Sequence, residues 1–216
     1  MAARLVLPRL YVILDSALLT LPAQDCAREL SDAGVRLLQY RNKSAGAREV
    51  LNSSRELAAL LAPRGVFFVV NDRPDVAVLA GADGVHVGQD DLSVEQARAL
   101  AGKGKWVGVS THNLEQFQSA AATSADYIAV GPVFRTSSKA HPDPVIGTEF
   151  IRQVRGLTDK PLVAIGGITL ENAAAVIAAG ADCVAVISDI LRAREPGRRA
   201  RQYLDLLDAG NHAAAV

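Results

Sequence analysis

The sequence predicts an α/β fold, a single (β/α)8 TIM barrel with helices packed outside a closed ring of parallel strands. Three observations predict it. Eight short apolar runs recur, each followed by a stretch with helical spacing, often Ala-rich. Most of these runs are nearly uninterrupted, as strands covered on both faces require. A short phrase also repeats at unit boundaries: Ala80-Gly81-Ala82-Asp83-Gly84-Val85 resembles Ala179-Gly180-Ala181-Asp182-Cys183-Val184, with looser echoes at Ser31-Asp32-Ala33-Gly34-Val35 and Ser124-Ala125-Asp126-Tyr127-Ile128. An open doubly wound sheet is the rival arrangement, and the regular alternation favours closure.

The strands are expected at 10–14, 36–40, 66–70, 84–87, 106–109, 127–130, 162–165 and 183–187. Ser93 and Gln96 form a capping box that opens a helix through Leu100. Asn113 caps a helix carrying Leu114, Phe117 and Ala121. Phe150, Ile151 and Val154 mark another, Ala173, Val176 and Ile177 another, and Tyr203, Leu204 and Leu207 the last. Glycines at the unit boundaries end helices in a left-handed turn before the next strand. Trp106 and Phe117 read as core. One catalytic domain is expected over 1–208, with 209–216 as a mobile tail.

Composition narrows the function. The chain has 216 residues, half of them hydrophobic, which suits a large buried core. Lys+Arg and Asp+Glu both number 23, so no global charge draws the protein to nucleic acid or a membrane surface. Cys26 and Cys183 are too few for a disulfide framework and fit a reducing compartment. Pro8, Arg9 and Asp15 interrupt the N-terminal apolar residues, so no secretory segment is expected and the reading is cytoplasmic. A homo-oligomer is left open.

In such a barrel the strand C-termini carry the chemistry. Asp15 follows the first strand, and Gln39-Tyr40-Arg41-Asn42-Lys43 the second. Asn71-Asp72-Arg73 follows the third, His86-Val87-Gly88-Gln89-Asp90-Asp91 the fourth, and Ser110-Thr111-His112 the fifth. Thr136, Ser137, Ser138 and Lys139 lie in the long connection after the sixth, Gly166-Gly167 after the seventh, and Ile187, Ser188 and Asp189 close the eighth. The two last groups occupy the usual phosphate position of the fold; a Gly turn that admits close packing is the competing reading, and the agreement of both loops favours phosphate. Alternate residues of an extended segment share a face, so Gln39, Arg41 and Lys43 can point together. With Lys139 they suit a polyanion such as a diphosphate, the competing reading being solvated surface charge. Asp72 and Asp91 end neighbouring strands and suit a shared Mg2+. Alternatively, Asp72 pairs with Arg73 and Asp91 caps a helix. His86 and His112 are either general bases or packed, hydrogen-bonded groups. No Ser-His-Asp or Cys/His metal spacing is visible.

These blocks, together with Gly131-Pro132-Val133-Phe134 and Ala164-Ile165-Gly166-Gly167-Ile168, stand in an order that resembles the thiamine-phosphate synthase (thiamine-phosphate pyrophosphorylase) family over nearly the whole chain. The resemblance implies a transferase with small-molecule substrates. It would join 4-amino-2-methyl-5-hydroxymethylpyrimidine diphosphate to 4-methyl-5-(2-hydroxyethyl)thiazole phosphate by dissociative loss of pyrophosphate. It also implies site roles. Asp72 and Asp91 would hold one Mg2+. Gln39, Tyr40, Arg41, Asn42, Lys43, Asn71, Ser110 and Lys139 would hold the pyrimidine diphosphate, with Arg41, Lys43, Ser110 and Lys139 acting in catalysis. Thr136, Ser137, Ser138, Gly167, Ile187 and Ser188 would hold the thiazole phosphate. Asn42 departs from a common acid, Arg135 from a frequent proline and Ser138 from a frequent threonine; none removes a proposed charge or hydroxyl. The connection 131–147 is a candidate lid, and whether it closes is left open. A thiazole tautomerase paralogue is an alternative, but Pro132 stands where that branch is expected to carry a catalytic His. Another phosphate-binding barrel enzyme and a non-catalytic ligand sensor complete the alternatives.

Overall fold

In the computed structural model, residues 5–136 and 143–213 are described, with side chains to Ala209. The chain forms a closed barrel of parallel strands in sequence order, β1 pairing with both β2 and β8. The strands are β1 (Leu10–Asp15), β2 (Leu37–Arg41), β3 (Phe67–Asn71), β4 (Gly84–Val87), β5 (Trp106–Thr111), β6 (Tyr127–Val130), β7 (Leu162–Ile165) and β8 (Cys183–Val186). All eight expected runs are strands. The first, second, third and fifth extend further at their C-terminal ends than hydrophobicity suggests. Their polar terminal residues still join the ladder: Asp15 pairs with Arg41, and Asn71 with His86. Main-chain hydrogen bonding, not side-chain polarity, ends a strand.

The helices are α1 (Ala23–Asp32), α2 (Ala47–Leu61), α3 (Pro74–Ala80), α4 (Val94–Ala101), α5 (Leu114–Ala121), α6 (Gly147–Arg155), α7 (Ala173–Ala178), α8 (Ser188–Leu191) and α9 (Pro196–Ala213). Ser93 and Gln96 make the reciprocal capping box of α4, and the Asn113 side chain accepts from the Gln116 N–H. Gly34, Gly81 and Gly180 take positive φ between helix and strand. Helix α9 runs into the 209–216 segment expected to be a tail, its backbone helical to Ala213. Among the described residues no helix is long and apolar enough to cross a membrane.

The strand pleat sorts the core into two shells. Outward residues such as Val12, Leu14, Leu38, Val70, Val85, Ile128 and Val184 pack under the helices. Inward ones, including Tyr11, Ile13, Leu37, Val69, Tyr127, Val163 and Ala185, fill the barrel. Phe117 is buried in the outer shell. Trp106 is only half-buried and stacks on Phe67, centroids 4.5 Å apart, where both begin their strands.

The Ala-Asp repeat has a structural cause. The Asp83 carboxylate accepts from the Phe68 N–H at 2.8 Å, Asp126 from Val107 at 2.7 Å and Asp182 from Leu162 at 2.8 Å. Each aspartate enters an even-numbered strand and clamps the start of the strand before it. Arg98 pairs with Asp126, and Arg155 with Asp182. The repeat therefore braces the mouth opposite the strand C-termini and leaves that other mouth free for chemistry.

Candidate active site

At the C-terminal mouth the barrel encloses a cavity of about 580 Å3. The pleat decides which side chains reach it. Gln39, Arg41 and Lys43 line it together, whereas Tyr40 and Asn42 do not. Tyr40 is buried in the outer shell, and its hydroxyl accepts from Asn42 Nδ2 at 3.2 Å. Asn42 Oδ1 in turn accepts from the backbone N–H groups of Ser44 and Ala45, closing the turn into α2. These two expected site residues thus face away, because a residue on the opposite pleat cannot turn inward without a register shift.

Two cations are anchored on carboxylates. The guanidinium of Arg41 pairs with Asp15, a buried acid that also accepts from the Ala17 N–H at 3.1 Å. Lys43 Nζ lies 3.0 Å from Asp72 Oδ2. Asp72 adopts φ 63°, a left-handed conformation unusual for a residue with a Cβ. Arg73, its neighbour, pairs with Asp75 instead, so the Asp72–Arg73 pair does not form. Nor does Asp91 cap α4, since Ser93 does. Asp91 Oδ2 accepts from the Gly88 N–H at 2.8 Å. Burial, and then the facing Asp72 carboxyl, push the Asp91 pKa above the usual carboxylate range, while the Gly88 N–H and Lys43 pull the other way. Two acids therefore meet at one point of the wall, and Asn71 lines the wall beside them.

The charge balance differs from a purely cationic rim. Among the described residues lining the cavity, Asp72, Asp90, Asp91 and Asp143 stand against Arg41 and Lys43. Among those described residues, a polyanion entering alone meets more acidic than basic side chains.

The floor is a chain of hydrogen bonds. Gln39 Nε2 donates to the Tyr11 hydroxyl at 2.7 Å, and the Tyr11 and Tyr127 hydroxyls lie 3.2 Å apart. The Tyr127 hydroxyl lies 3.1 Å from His86 Nδ1, and His86 Nε2 lies 2.8 Å from Ser110 Oγ. Burial pushes the pKa values of both tyrosines far up, so both are neutral phenols. His112 is engaged on both ring nitrogens, by the Gly131 carbonyl and, at 3.5 Å, by Asp143. Both histidines are packed, hydrogen-bonded groups.

A second, narrow recess of about 20 Å3 joins Thr136, Gly166, Gly167, Ile187 and Ser188. Its glycines have positive φ, and a Cβ at 166 would stand 2.5 Å from Pro132 Cα, one at 167 2.3 Å from the Arg135 carbonyl. They admit the β6–α6 connection rather than a helix. Ser137, Ser138 and Lys139 lie outside the described residues, as does the middle of the connection left open as a lid.

Sequence reading misses Ile13, Gln116, Asp143 and Ile165 as lining residues. The alternation identifies the two isoleucines, since Ile13 stands two residues before Asp15 and Ile165 ends β7 facing inward. Gln116 and Asp143 come from α5 and the β6–α6 connection, and only the closed fold brings them to the mouth. Among the described residues no group of three or more His, Cys, Asp or Glu forms a metal cage.

Comparison with known proteins bears on this mouth. A family model described as thiamine monophosphate synthase matches residues 10–190. A thiamine-phosphate synthase of Koribacter versatilis is 53% identical over 214 residues, spanning 96% of this chain and 99% of that protein. One of Myxococcus xanthus is 43% identical over 200 residues, spanning 93% and 92%. The solved thiamine phosphate pyrophosphorylase of Pyrococcus furiosus superposes with a TM-score of 0.85 at 33% identity, covering 93% of this chain and 96% of that one.

Proposed function

The chain belongs to the thiamine monophosphate synthase family and is a transferase of thiamine biosynthesis, and on that premise we propose how its C-terminal mouth carries out the transfer. The substrates are 4-amino-2-methyl-5-hydroxymethylpyrimidine diphosphate and 4-methyl-5-(2-hydroxyethyl)thiazole phosphate. The methylene C–O bond breaks, its electron pair leaving with pyrophosphate. The thiazole ring nitrogen then donates its lone pair to the methylene carbon, giving thiamine phosphate. No proton need move in the bond-breaking step, so charge neutralisation is the main task.

The observation that carries this reading is the convergence in one cavity of Arg41, Lys43, Asn71 and the facing pair Asp72–Asp91 above a polar floor ending in Gln39 and Ser110. Arg41 and Lys43 receive the diphosphate, Arg41 held in place by Asp15. Lys139 adds a third cation from the β6–α6 connection. Gln39 and Ser110 meet the pyrimidine ring at the floor. Thr136, Ser137, Ser138, Gly167, Ile187 and Ser188 hold the thiazole phosphate, so the nucleophile approaches from the β7–β8 side.

The donor set at Asp72 and Asp91 fits one Mg2+. Two carboxylates face each other, one reluctant to ionise, which is the environment that a hard divalent cation relieves. When bound, the ion would offset the acid excess of the wall and supply Lewis-acid stabilisation to the leaving diphosphate. Lys43 would then be released from Asp72 toward the diphosphate.

The test is direct. The two phosphates are mixed with the protein across a Mg2+ titration, and thiamine phosphate and pyrophosphate are quantified. Product should form in equimolar amounts and depend on Mg2+. No product at any Mg2+ concentration would overturn the proposal.

A further inference from the structure

The floor chain has a direction, set by the Gln39 amide at one end and carried along the chain by counting protons. The Tyr11 oxygen accepts from Gln39 Nε2, so its own proton needs another acceptor. Among the described residues the acceptor within reach is the Tyr127 hydroxyl, 3.2 Å away. Tyr127, having accepted, directs its proton to His86 Nδ1 at 3.1 Å. Nδ1 is then bare and the imidazole proton sits on Nε2, which donates to Ser110 Oγ at 2.8 Å. With Gln39 Nε2 donating, reversing the remaining bonds would leave the Tyr11 proton without an acceptor, a costly arrangement for a fully buried hydroxyl.

The consequence appears at the two ends. Ser110 accepts from His86, so its hydroxyl proton points to the cavity as a donor. Gln39 spends its amide N–H on Tyr11, so Oε1 is its acceptor toward the cavity that it lines. The floor thus presents one acceptor and one donor, complementary to an exocyclic amino group beside an unprotonated ring nitrogen.

The packing is built around this chain. His86, Gly108 and Tyr127 are register partners on adjacent strands. The glycine in the middle lets the two flanking rings stack across it, centroids 5.6 Å apart at 25°. A tyrosine serving only as core filling would need no hydroxyl here.

We propose that Tyr127, backed by Tyr11, is a positioning residue that holds His86 as the Nε2–H tautomer and so sets Ser110 as donor and Gln39 as acceptor toward the aminopyrimidine. The proposal rests on the function given above for the identity of that ring, but not for the tautomer.

The test therefore begins without substrate. In protein labelled with 15N-histidine, two-bond 1H–15N spectra distinguish a bare ring nitrogen from a protonated one, and a His86→Gln variant assigns the signal. His86 should show a bare Nδ1 and a protonated Nε2. In Tyr127→Phe this single-tautomer pattern should collapse toward a mixture. The KM for the pyrimidine diphosphate should rise roughly five- to tenfold, the loss of one oriented hydrogen bond, with the KM for the thiazole phosphate unchanged. Tyr11→Phe should keep the tautomer, because Tyr127 still faces Nδ1, while also raising the pyrimidine KM through Gln39. A wild-type His86 protonated on Nδ1 would overturn the proposal, as would an unchanged pattern in Tyr127→Phe or equal KM changes for both substrates. If the protein makes no thiamine phosphate, the functional reading fails while the tautomer measurement still decides the hydrogen-bond sense.

Discussion

The ring of Tyr127 fills the space that a Cβ on Gly108 would occupy: such a carbon would stand 2.0 Å from Tyr127 Cζ. Gly108 on β5 is therefore a packing requirement imposed by its β6 neighbour: the atoms in conflict are the far end of the Tyr127 side chain, but that ring is fully buried and held at its hydroxyl by Tyr11 and His86. Gly108→Ala should be severely destabilising, about 3 kcal/mol or more by forced displacement of the ring, and should disturb the floor with it. Gly104→Ala is the matched control, since nothing lies within 4 Å of its would-be Cβ. Denaturant unfolding of both variants checks the contrast; equal stability would contradict it.

Arg41 and Asp15 form a half-buried pair, their side chains 20% and 4% exposed. Arg41→Ala strands the Asp15 carboxylate in the interior and should cost about 3 kcal/mol as well as most turnover. Adding Asp15→Ala should restore much of the stability and none of the activity. A double-mutant cycle read by unfolding and by product formation separates the two effects. Were the single variant as stable as the double, Asp15 would not be the anchor described.

Asp91 has a raised pKa, burial first and Asp72 second. In the metal-free protein its charged form therefore opposes folding above that raised pKa. The opposition fades as pH falls through it and vanishes below the ordinary carboxylate value. Asp91→Asn should melt about 1–3 °C higher than the parent at neutral pH without metal, a gain kept small by partial solvent exposure. The gain should shrink on acidification. The same variant should need far more Mg2+ for turnover, and in the parent the Mg2+ requirement should rise as pH drops, protons and metal competing for one site. Differential melting curves across pH and Mg2+ titrations report both.

Tyr203 on α9 braces, from behind, the narrow recess proposed above to take the thiazole phosphate. Its hydroxyl donates to Asp189 Oδ2 at 2.6 Å, and Arg199 holds the same carboxylate through contacts of 2.9 and 3.1 Å. Asp189 adjoins Ser188 of the recess. Tyr203→Phe should raise the KM for the thiazole phosphate about threefold to tenfold, with little change for the pyrimidine diphosphate and about 1 kcal/mol lost in stability. Steady-state kinetics with each substrate varied in turn gives the answer.

Much of this protein is written locally. Eight apolar runs and the helical spacing between them are sufficient to read the barrel, because periods of 2 and 3.6 residues are properties of adjacent residues. The same alternation separates Gln39, Arg41 and Lys43, which line the cavity, from Tyr40 and Asn42, which do not. The Ala-Asp repeat is visible as a pattern, although its role as a clamp on the preceding strand needs the hydrogen bonds to Phe68, Val107 and Leu162.

Other relationships depend on closure. Locally, Asp72 could pair with Arg73 and Asp91 could cap α4; folded, Arg73 takes Asp75, Ser93 takes the cap, and the two acids face each other. Tyr11, Tyr127, His86 and Ser110 come from four strands, with hydrogen-bonded neighbours as far as 116 positions apart in the chain. Only the register between strands sets whether they touch, and that register is decided by cooperative ladder bonding and by whether a residue such as Gly108 leaves room. The sequence by itself determined the barrel and the side of each strand that looks inward. The tertiary structure alone decided which inward groups meet, because those distances are fixed by ring closure and packing and not by any spacing along the chain.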